Sequence, residues 1–344
     1  ATVSTGTSLG AKSLSTVITD AQLRTNTSAV ISVTVIGTTR TWSGSGSDDN
    51  WSTAANWTGS VAPISPEDSV EFAGSTRLTP SLDTSRTAPS LSFASGASSF
   101  SLGASGGSTL TLSGGGITNN SANAQTVNIP LTLGAAQSVN AIGAGTLNIS
   151  GTVNNGGNLL TADGANSSSF SGDISGGGGF TKAGAGTATL SGNNSYGGAT
   201  AVNAGTLAVS GGSAIPDGSA VTLANVSGVP LSVGASETAG SLAGGGATGG
   251  TVALGANNLT VGGGTTYSGT VTGTGKLIKA GAGTLTLNTA GAIGSGFTTR
   301  IEGGTVDFNR GGSSLVGIIG SGNSIELAGG TLQLSASVQA NFAV

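Results

Sequence analysis

Residues 186–192 read GTATLSG, and residues 205–211, which begin 19 positions later, read GTLAVSG. In each segment an apolar residue occupies every second position, which is the side-chain period of a β-strand with one apolar face. Threonine and β-branched residues favour strands, and the flanking glycines suit tight turns. A helix is disfavoured because each glycine in a helix costs about 1 kcal/mol. The two segments therefore predict short strands joined by glycine-rich turns.

The same Gly-Thr-apolar-x-apolar unit recurs along much of the chain, and its spacing is regular. Gly186 and Gly205 are 19 residues apart, Gly283 and Gly304 are 21 apart, and Gly145 lies 41 residues before Gly186, which is about two periods. A period near 20 is typical of one coil of a β-solenoid, in which each coil buries its apolar face against its neighbours. Further units lie at residues 145–151, 283–288, 304–308 and 330–334, and related segments lie at 109–114 and 250–255.

These patterns predict an all-β fold, a right-handed parallel β-helix (β-solenoid) over residues 100–344 with a β-rich N-terminal head or cap. At about 20 residues for each coil there is room for roughly 12 coils. Stacked at about 4.8 Å, they would form a rod on the order of 55–60 Å long.

A longer repeat is superimposed on the short one. Residues 182–187 and 279–284 both read KAGAGT, and the related segments 171–176 and 268–273 are separated by the same 97 residues. This offset matches five coils of roughly 20 residues and predicts duplication of a five-coil unit.

The composition excludes several classes of function. Charged residues make up 7% of the chain and the net charge is −4, so no basic stripe is available for nucleic acid and no cationic face for anionic lipid. Cysteine and histidine are absent, which removes disulfides, thiolate chemistry and the commonest general base and metal ligand. No apolar run approaches the roughly 20 residues of a membrane span. We therefore predict a mature secreted protein that is not an enzyme and carries no cofactor.

The long repeat resembles a known family. Residues 180–187 with 190–207, and the second copy at 276–287, resemble the autotransporter-associated β-strand repeat, or passenger-associated transport repeat. The resemblance is close over about 165–310 and looser on either side. It implies a secreted right-handed parallel β-helix of the kind found in surface-displayed passenger segments and large bacterial cell-surface proteins. Residues 340–344 do not read as a terminal barrel strand, so either a barrel has been removed or another secretion route is used.

All three tryptophans precede the repeats, in a segment (42–99) that resembles the tryptophan-marked head often found before them. Trp42, Trp51 and Trp57 allow two interpretations. They could form an aromatic platform on which sugars stack, or a cap whose indoles cover the open apolar end of the solenoid.

Residues 1–41 differ from the rest of the chain and contain its strongest β segment. Its apolar residues are Val30, Ile31, Val33, Val35 and Ile36. The segment could be an edge strand that completes the head domain. Alternatively, it could pair with an open edge of the next molecule and build a filament.

Two local groups of acidic residues could offer oxygen ligands to Ca²⁺. They are Asp48 with Asp49, and Glu67 with Asp68 and Glu71. Neither group has an EF-hand pattern, and acidic residues in such turns more often cap the backbone, so no metal site is predicted.

Solenoids can also be polysaccharide lyases or hydrolases, which need paired carboxylates or a Ca²⁺–Arg group on one face. Asp163 and Asp173 are near each other in sequence but have no accompanying arginine. We therefore expect an extracellular or surface-bound structural or adhesive rod, as a stalk or as a subunit of an end-to-end filament. The expected partners are further copies of the chain and host or matrix glycans or surfaces. The alternative is a polysaccharide-active enzyme.

Overall fold

The computed structural model describes residues 37–288, 296–309 and 322–335, together with four short strands upstream of residue 36. These four strands form two separate antiparallel pairs, β1 with β4 and β2 with β3. Their bounds are β1 (Gly10–Leu14), β2 (Val17–Thr19), β3 (Thr25–Thr27) and β4 (Ile31–Val35).

From residue 39 onwards the described chain consists of short strands and turns, with single 3-10 turns at Ala54–Asn56 and Thr58–Ser60. The first strands of this part are β5 (Thr39–Trp42), β6 (Ser69–Phe72), β7 (Ser81–Leu82), β8 (Arg86–Phe93), β9 (Ser101–Ala104), β10 (Leu110–Asn119), β11 (Gln125–Val127), β12 (Leu131–Leu133), β13 (Gln137–Ala141), β14 (Leu147–Ile149), β15 (Val153–Asn154), β16 (Leu160–Gly164), β17 (Ser168–Phe170), β18 (Ile174–Ser175) and β19 (Phe180–Lys182).

The remaining strands cover the second half of the chain. They are β20 (Thr187–Leu190), β21 (Thr200–Val202), β22 (Thr206–Val209), β23 (Ala220–Leu223), β24 (Pro230–Val233), β25 (Glu237–Ala239), β26 (Ser241–Gly244), β27 (Thr251–Ala253), β28 (Leu259–Val261), β29 (Thr266–Tyr267), β30 (Val271–Thr272), β31 (Lys276–Lys279), β32 (Thr284–Leu287), β33 (Thr298–Ile301), β34 (Thr305–Asn309), β35 (Ser324–Leu327) and β36 (Thr331–Ser335).

The strands from β5 onwards stack in parallel on three faces, and one coil contributes to each face in turn, as β18, β19 and β20 do. The first face contains β12, β15 and β18 and, after a break, the five-stranded sheet β25-β28-β31-β33-β35. The third face is the ten-stranded sheet from β7 to β30. The second face runs between them as β5-β6-β8-β10-β13-β16-β19-β21-β23-β26-β29-β32-β34-β36.

The register of these sheets confirms the predicted coil period. Thr187 pairs with Thr206 and Thr284 pairs with Thr305, so the 19- and 21-residue spacings are each one coil. Thr305 pairs in turn with Thr331, which makes the 26-residue spacing a single longer coil. The predicted all-β parallel β-solenoid is confirmed, with about 11 turns.

The prediction that the 97-residue repeat spans five whole coils is wrong. Lys182 lies in β19 on the second face, whereas Lys279, at the same place in the repeat, lies in β31 on the first face. On the third face, five register steps lead from Ser169 to Thr272, which is 103 residues. The 97-residue repeat is therefore shorter than five coils by about the length of chain that covers one face. The first and second faces therefore accept the same strand–corner–strand sequence, because each needs only alternating apolar residues and a glycine corner.

The core is a thin interior filled from all three faces. One column on the third face runs through Ile149, Phe170, Leu190, Val209 and Val233, and all five side chains are buried. Because each coil presents only a few such side chains, burial depends on the coils above and below. The parallel second face already includes β5, β6 and β8, and the division of the chain at residues 41 and 99 stays a prediction.

Candidate functional site

The three tryptophans form one aromatic cluster with Phe72, the last residue of β6. Trp42 meets Trp57 edge-on with ring centroids 5.2 Å apart, and Trp51 meets Trp57 in the same way at 5.8 Å. Phe72 lies 5.4 to 6.1 Å from each of the three indoles. Edge-to-face pairs at these distances add stabilisation beyond the burial of area.

All three indoles are almost completely enclosed, with at most 1% of each residue exposed. The Trp57 indole N–H donates to the carbonyl oxygen of Trp51 at 2.7 Å, and that of Trp42 donates to the carbonyl oxygen of Arg77 at 3.2 Å. The Trp51 indole N–H is buried and has no acceptor among the described residues. A sugar could stack on these rings only if the cluster opened. This geometry favours the cap, although the choice between cap and glycan platform stays a prediction.

Asn56 holds the loop that carries the cluster. Its side-chain oxygen accepts from the backbone N–H of Gly46 at 2.9 Å. Its amide nitrogen donates to the carbonyl oxygens of Asp48 and Asn50 at 2.9 and 3.0 Å. A buried asparagine with several backbone partners fixes the course of a loop. The hydrogen bonds of Asn56 therefore help to set the positions of Trp51 and Trp57.

The predicted assembly segment lies partly within the described structure. Ile31, Val33 and Val35 belong to β4, which pairs antiparallel with β1. Val30 and Ile36 lie outside the described residues. Among the described strands β4 pairs only with β1, and the role of this segment in assembly stays a prediction.

The first acidic group is engaged by local hydrogen bonds. Asp48 accepts from the backbone N–H of Asn50 at 3.0 Å and from the hydroxyl of Thr53 at 2.9 Å. The hydrogen bond from Asn50 is the main reason why the pKa of Asp48 is lowered. Asp49 forms an ion pair with Arg77 at 3.0 Å. The contacts of Asp48 lie within its own loop, and the ion pair of Asp49 ties that loop to the segment between β6 and β7.

The second acidic group is spread over β6 and the turn before it. Asp68 accepts from the hydroxyl of Thr38 at 2.6 Å and pairs with Arg40 at 3.1 Å. Glu71 accepts from the hydroxyl of Thr41 at 3.2 Å. Glu67 is buried just before Asp68. Within residues 37–288, 296–309 and 322–335, no set of three His, Cys, Asp or Glu side chains is placed to hold a metal ion.

The two aspartates considered for polysaccharide chemistry lie on different sides of the coil. Asp163 belongs to β16 on the second face, and its carboxylate accepts from the backbone N–H of Gly164 at 2.7 Å. Asp173 precedes β18 on the first face and accepts from the backbone N–H of Asn193 at 2.8 Å. Each carboxylate caps a corner, and the fold does not bring them together as an acid–base pair.

Three buried ionisable side chains were missed by reasoning from the sequence. Lys182 and Lys279 are inward-facing residues of β19 and β31, with 2% and 0% exposed. Glu237 is an inward-facing residue of β25, with 3% exposed. The signal was the alternation itself: each occupies a position that the strand period assigns to the core. The sequence alone does not predict that these three side chains are buried, because charged residues are rarely buried without a salt-bridge partner.

The outer surface of the middle coils is polar but nearly without charge. Between residues 87 and 275 there are five charged residues, of which Lys182 and Glu237 are buried. The outward row of the third face consists of small residues in register: Ser101, Thr126, Asn148, Ser169, Thr189, Ala208, Ser232, Ala253 and Thr272. Hydroxyl, amide and methyl groups thus form this wall of the solenoid.

No helix in the described part of the chain is long and apolar enough to span a membrane.

Comparison with known proteins places the repeat in a family. Residues 180–209 and 277–307 match the passenger-associated-transport-repeat family. The first segment covers β19 to β22 and the second runs from within β31 to within β34, so each match spans more than one coil. A 156-residue stretch is 34% identical to the adhesin BmaC autotransporter of Brucella suis biovar 1 (strain 1330), covering 44% of this chain and 4% of that relative. No solved structure matches the chain. The chain therefore carries two passenger-associated-transport repeats, and the resemblance read from its sequence is confirmed.

Proposed function

We propose that this chain is a section of an adhesive rod on the outside of a bacterial cell and that it acts without enzymatic chemistry. The observation that carries the proposal is a parallel solenoid that includes two passenger-associated-transport repeats. The relative named as an adhesin supports it. The proposed location is the cell surface or the extracellular space.

The architecture suits a load-bearing stalk. From β8 onwards successive coils are joined by parallel ladders on two or three faces, so separating two coils means breaking several hydrogen bonds together. About 11 turns at a rise of about 4.8 Å give a rod on the order of 50 Å. Its polar, charge-poor wall fits neutral glycans or matrix surfaces better than nucleic acid or anionic lipid.

Adhesion is tested with beads that carry the folded chain. We expect saturable binding to host cells or to members of a glycan array, and loss of binding when the same beads are heated to unfold the chain. Equal binding before and after unfolding, or no binding to any cell or glycan surface, would contradict the adhesive role.

The rival function, a polysaccharide-active enzyme, is tested on the same sample. Neutral and acidic glycans are incubated with the chain and assayed for new reducing ends and unsaturated products. We expect none, because Asp163 and Asp173 lie on different sides of the coil. Clear turnover that is lost in Asp163→Asn or Asp173→Asn would overturn the non-enzymatic assignment.

End-to-end assembly is a second proposal, and it is favoured by the pairing of β4 with β1 and with no other strand in the described part of the chain. An outer edge of this two-stranded sheet could accept a strand from another copy. Negative-stain microscopy of the full chain should show short filaments that shorten in Val33→Pro, which removes a backbone donor from β4. Dispersed monomers at every concentration and salt would refute this proposal.

A further inference from the structure

The two buried lysines occupy equivalent environments on different faces of the solenoid. Lys182 lies in register between Ala162 and Val202 on the second face. Lys279 lies in register between Val261 and Ile301 on the first face. In both cases the stem of the lysine fills an aliphatic column, and the following residues turn the corner with the sequence AGAGT.

Main-chain carbonyl oxygens surround the ammonium group of Lys279. Its Nζ donates to Gly262 at 2.9 Å, to Gly281 at 2.9 Å and to Ala282 at 3.2 Å, with a further short contact to Ala280. Four carbonyl oxygens around one ammonium group exceed its three N–H donors, so they form a cage for a cation as well as a set of hydrogen-bond acceptors.

The ammonium group of Lys182 also contacts main-chain carbonyl oxygens, with two acceptors where Lys279 has four. Its Nζ donates to the carbonyl oxygen of Ala204 at 3.3 Å and, through a shorter contact, to that of Gly184. Burial lowers the pKa of both lysines, and for Lys182 the charge of Asp163 opposes that shift. No carboxylate in the described structure forms a salt bridge with either ammonium group, so carbonyl dipoles alone contact the charge.

Each cage is completed by a neighbouring coil. Gly262 follows β28, in the coil before Lys279, and Ala204 follows β21, in the coil after Lys182. A buried ammonium group without acceptors is strongly unfavourable. Part of the hydrogen bonding of each buried ammonium group therefore depends on the adjacent coil being stacked in register.

We propose that the corner after each of these strands is a binding site for a monovalent cation, and that the ammonium group of the lysine side chain occupies this site. By occupying it, the lysine couples the stacking of consecutive coils. Lys182 and Lys279 are positioning residues in this scheme. The role is independent of adhesion, because it concerns the assembly of the coils and not what the rod binds.

The test is chemical rescue of Lys279→Ala by ammonium chloride. The readout is the thermal melting temperature of the full chain. Removal of the ammonium group should lower the Tm by about 5 °C or more. Ammonium chloride should restore much of this loss, because an ammonium ion fits the vacated cage, whereas choline chloride at the same ionic strength should not. Lys276→Ala is the matched control: Lys276 lies in the same strand but pairs with Glu326 at the surface. Its Tm should change little and show no preference for ammonium.

Equal recovery in ammonium and choline, or a Lys279→Ala variant as stable as Lys276→Ala, would overturn the proposal. If Lys279→Ala does not fold, the unmodified chain still gives a decision by NMR of the lysine side-chain ¹⁵Nζ groups. Lys182 and Lys279 should show slowly exchanging ammonium protons, and Lys182→Met and Lys279→Met should each remove one slowly exchanging signal. Fast exchange at all four lysines would refute the cages.

Discussion

A Cβ atom on Gly172 would lie 2.1 Å from the carbonyl oxygen of Gly151, the glycine at the same corner one coil earlier. Gly192 follows in the next coil, and its Cβ would lie 2.6 Å from the carbonyl oxygen of Gly172. Real Cβ atoms do not approach a carbonyl oxygen this closely. A column of glycines at the corner therefore allows the coils to stack at strand spacing.

Gly172→Ala should destabilise the solenoid by roughly 1–3 kcal/mol, because the corner must move away from the coil before it. Thermal unfolding followed by circular dichroism measures the loss. Gly218→Ala is the control, since a Cβ there would have no heavy atom within 4 Å. Equal stability of the two variants would show that the glycine column does not limit stacking.

Trp51→Ala should cost about 3–5 kcal/mol if the aromatic cluster caps the solenoid, since the side chain is fully buried. Trp51→Phe should cost less than Trp57→Phe, because the Trp57 indole N–H donates to the carbonyl oxygen of Trp51, whereas the Trp51 indole N–H has no acceptor among the described residues. Unfolding and glycan binding are measured on the same variants. Unchanged melting of Trp51→Ala together with lost glycan binding would favour the sugar platform instead.

Glu237 bridges a break in the first face. The ladder stops at β18 and resumes at β25, and side chains cross part of this gap. The Glu237 carboxylate accepts from the backbone N–H of Ala214 at 3.0 Å, and Asn194 donates to the carbonyl oxygen of Ala214 at 2.6 Å. Burial raises the pKa of Glu237 to about 7, against the opposing hydrogen bonds from the backbone; the nearby Asp217 also raises it.

This shift makes the stability of the coils around Glu237 depend on pH. The pKa is higher in the folded state than the usual value of 4.5, so the folded chain holds the proton more tightly. The resulting stabilisation is fully present below about pH 4.5 and is lost as the pH rises through about 7. The free energy of unfolding of the unmodified chain, measured with urea, should therefore fall between pH 5 and pH 8. This fall should be smaller in Glu237→Gln, which has no carboxyl group to titrate.

Two controls separate this effect from other titrations. Asp217→Asn should move the inflection to lower pH, because it removes the neighbouring negative charge. The protection factor of the Ala214 amide, which is its exchange rate corrected for the intrinsic pH dependence of exchange, should change with pH in the unmodified chain and much less in Glu237→Gln. Parallel stability curves for the unmodified chain and Glu237→Gln would contradict the assigned shift.

The fold could be predicted because the length of one coil of a solenoid appears in the sequence as the spacing between repeated units. The spacing from Gly186 to Gly205 corresponds directly to the pairing of Thr187 with Thr206. The 97-residue offset was misassigned because the three faces use the same alternation, so a strand pattern does not reveal the face on which it lies. Only the register between coils places Lys182 and Lys279 on different faces.

The site was less predictable for a different reason. The clustering of the tryptophans in sequence anticipated a special segment, but the contacts with Phe72 and the enclosing backbone depend on how β5 and β6 pair. The buried lysines were missed because their acceptors are main-chain carbonyl oxygens, some of which come from another coil. Every residue has a main-chain carbonyl group, so the sequence does not show which of them accept a hydrogen bond from a lysine.

The most direct test of the parallel stack is a pair of engineered disulfides, since the chain contains no cysteine. Thr181 and Ala201 are outward neighbours on consecutive coils, as are Thr189 and Ala208 on another face. Each double variant, Thr181→Cys with Ala201→Cys and Thr189→Cys with Ala208→Cys, should oxidise rapidly and completely, because paired strands lie about 4.8 Å apart. Thr181→Cys with Thr222→Cys, two coils apart, should not form a bridge within one chain. Failure of both neighbouring pairs, or equally fast closure of the distant pair, would contradict the stacked solenoid.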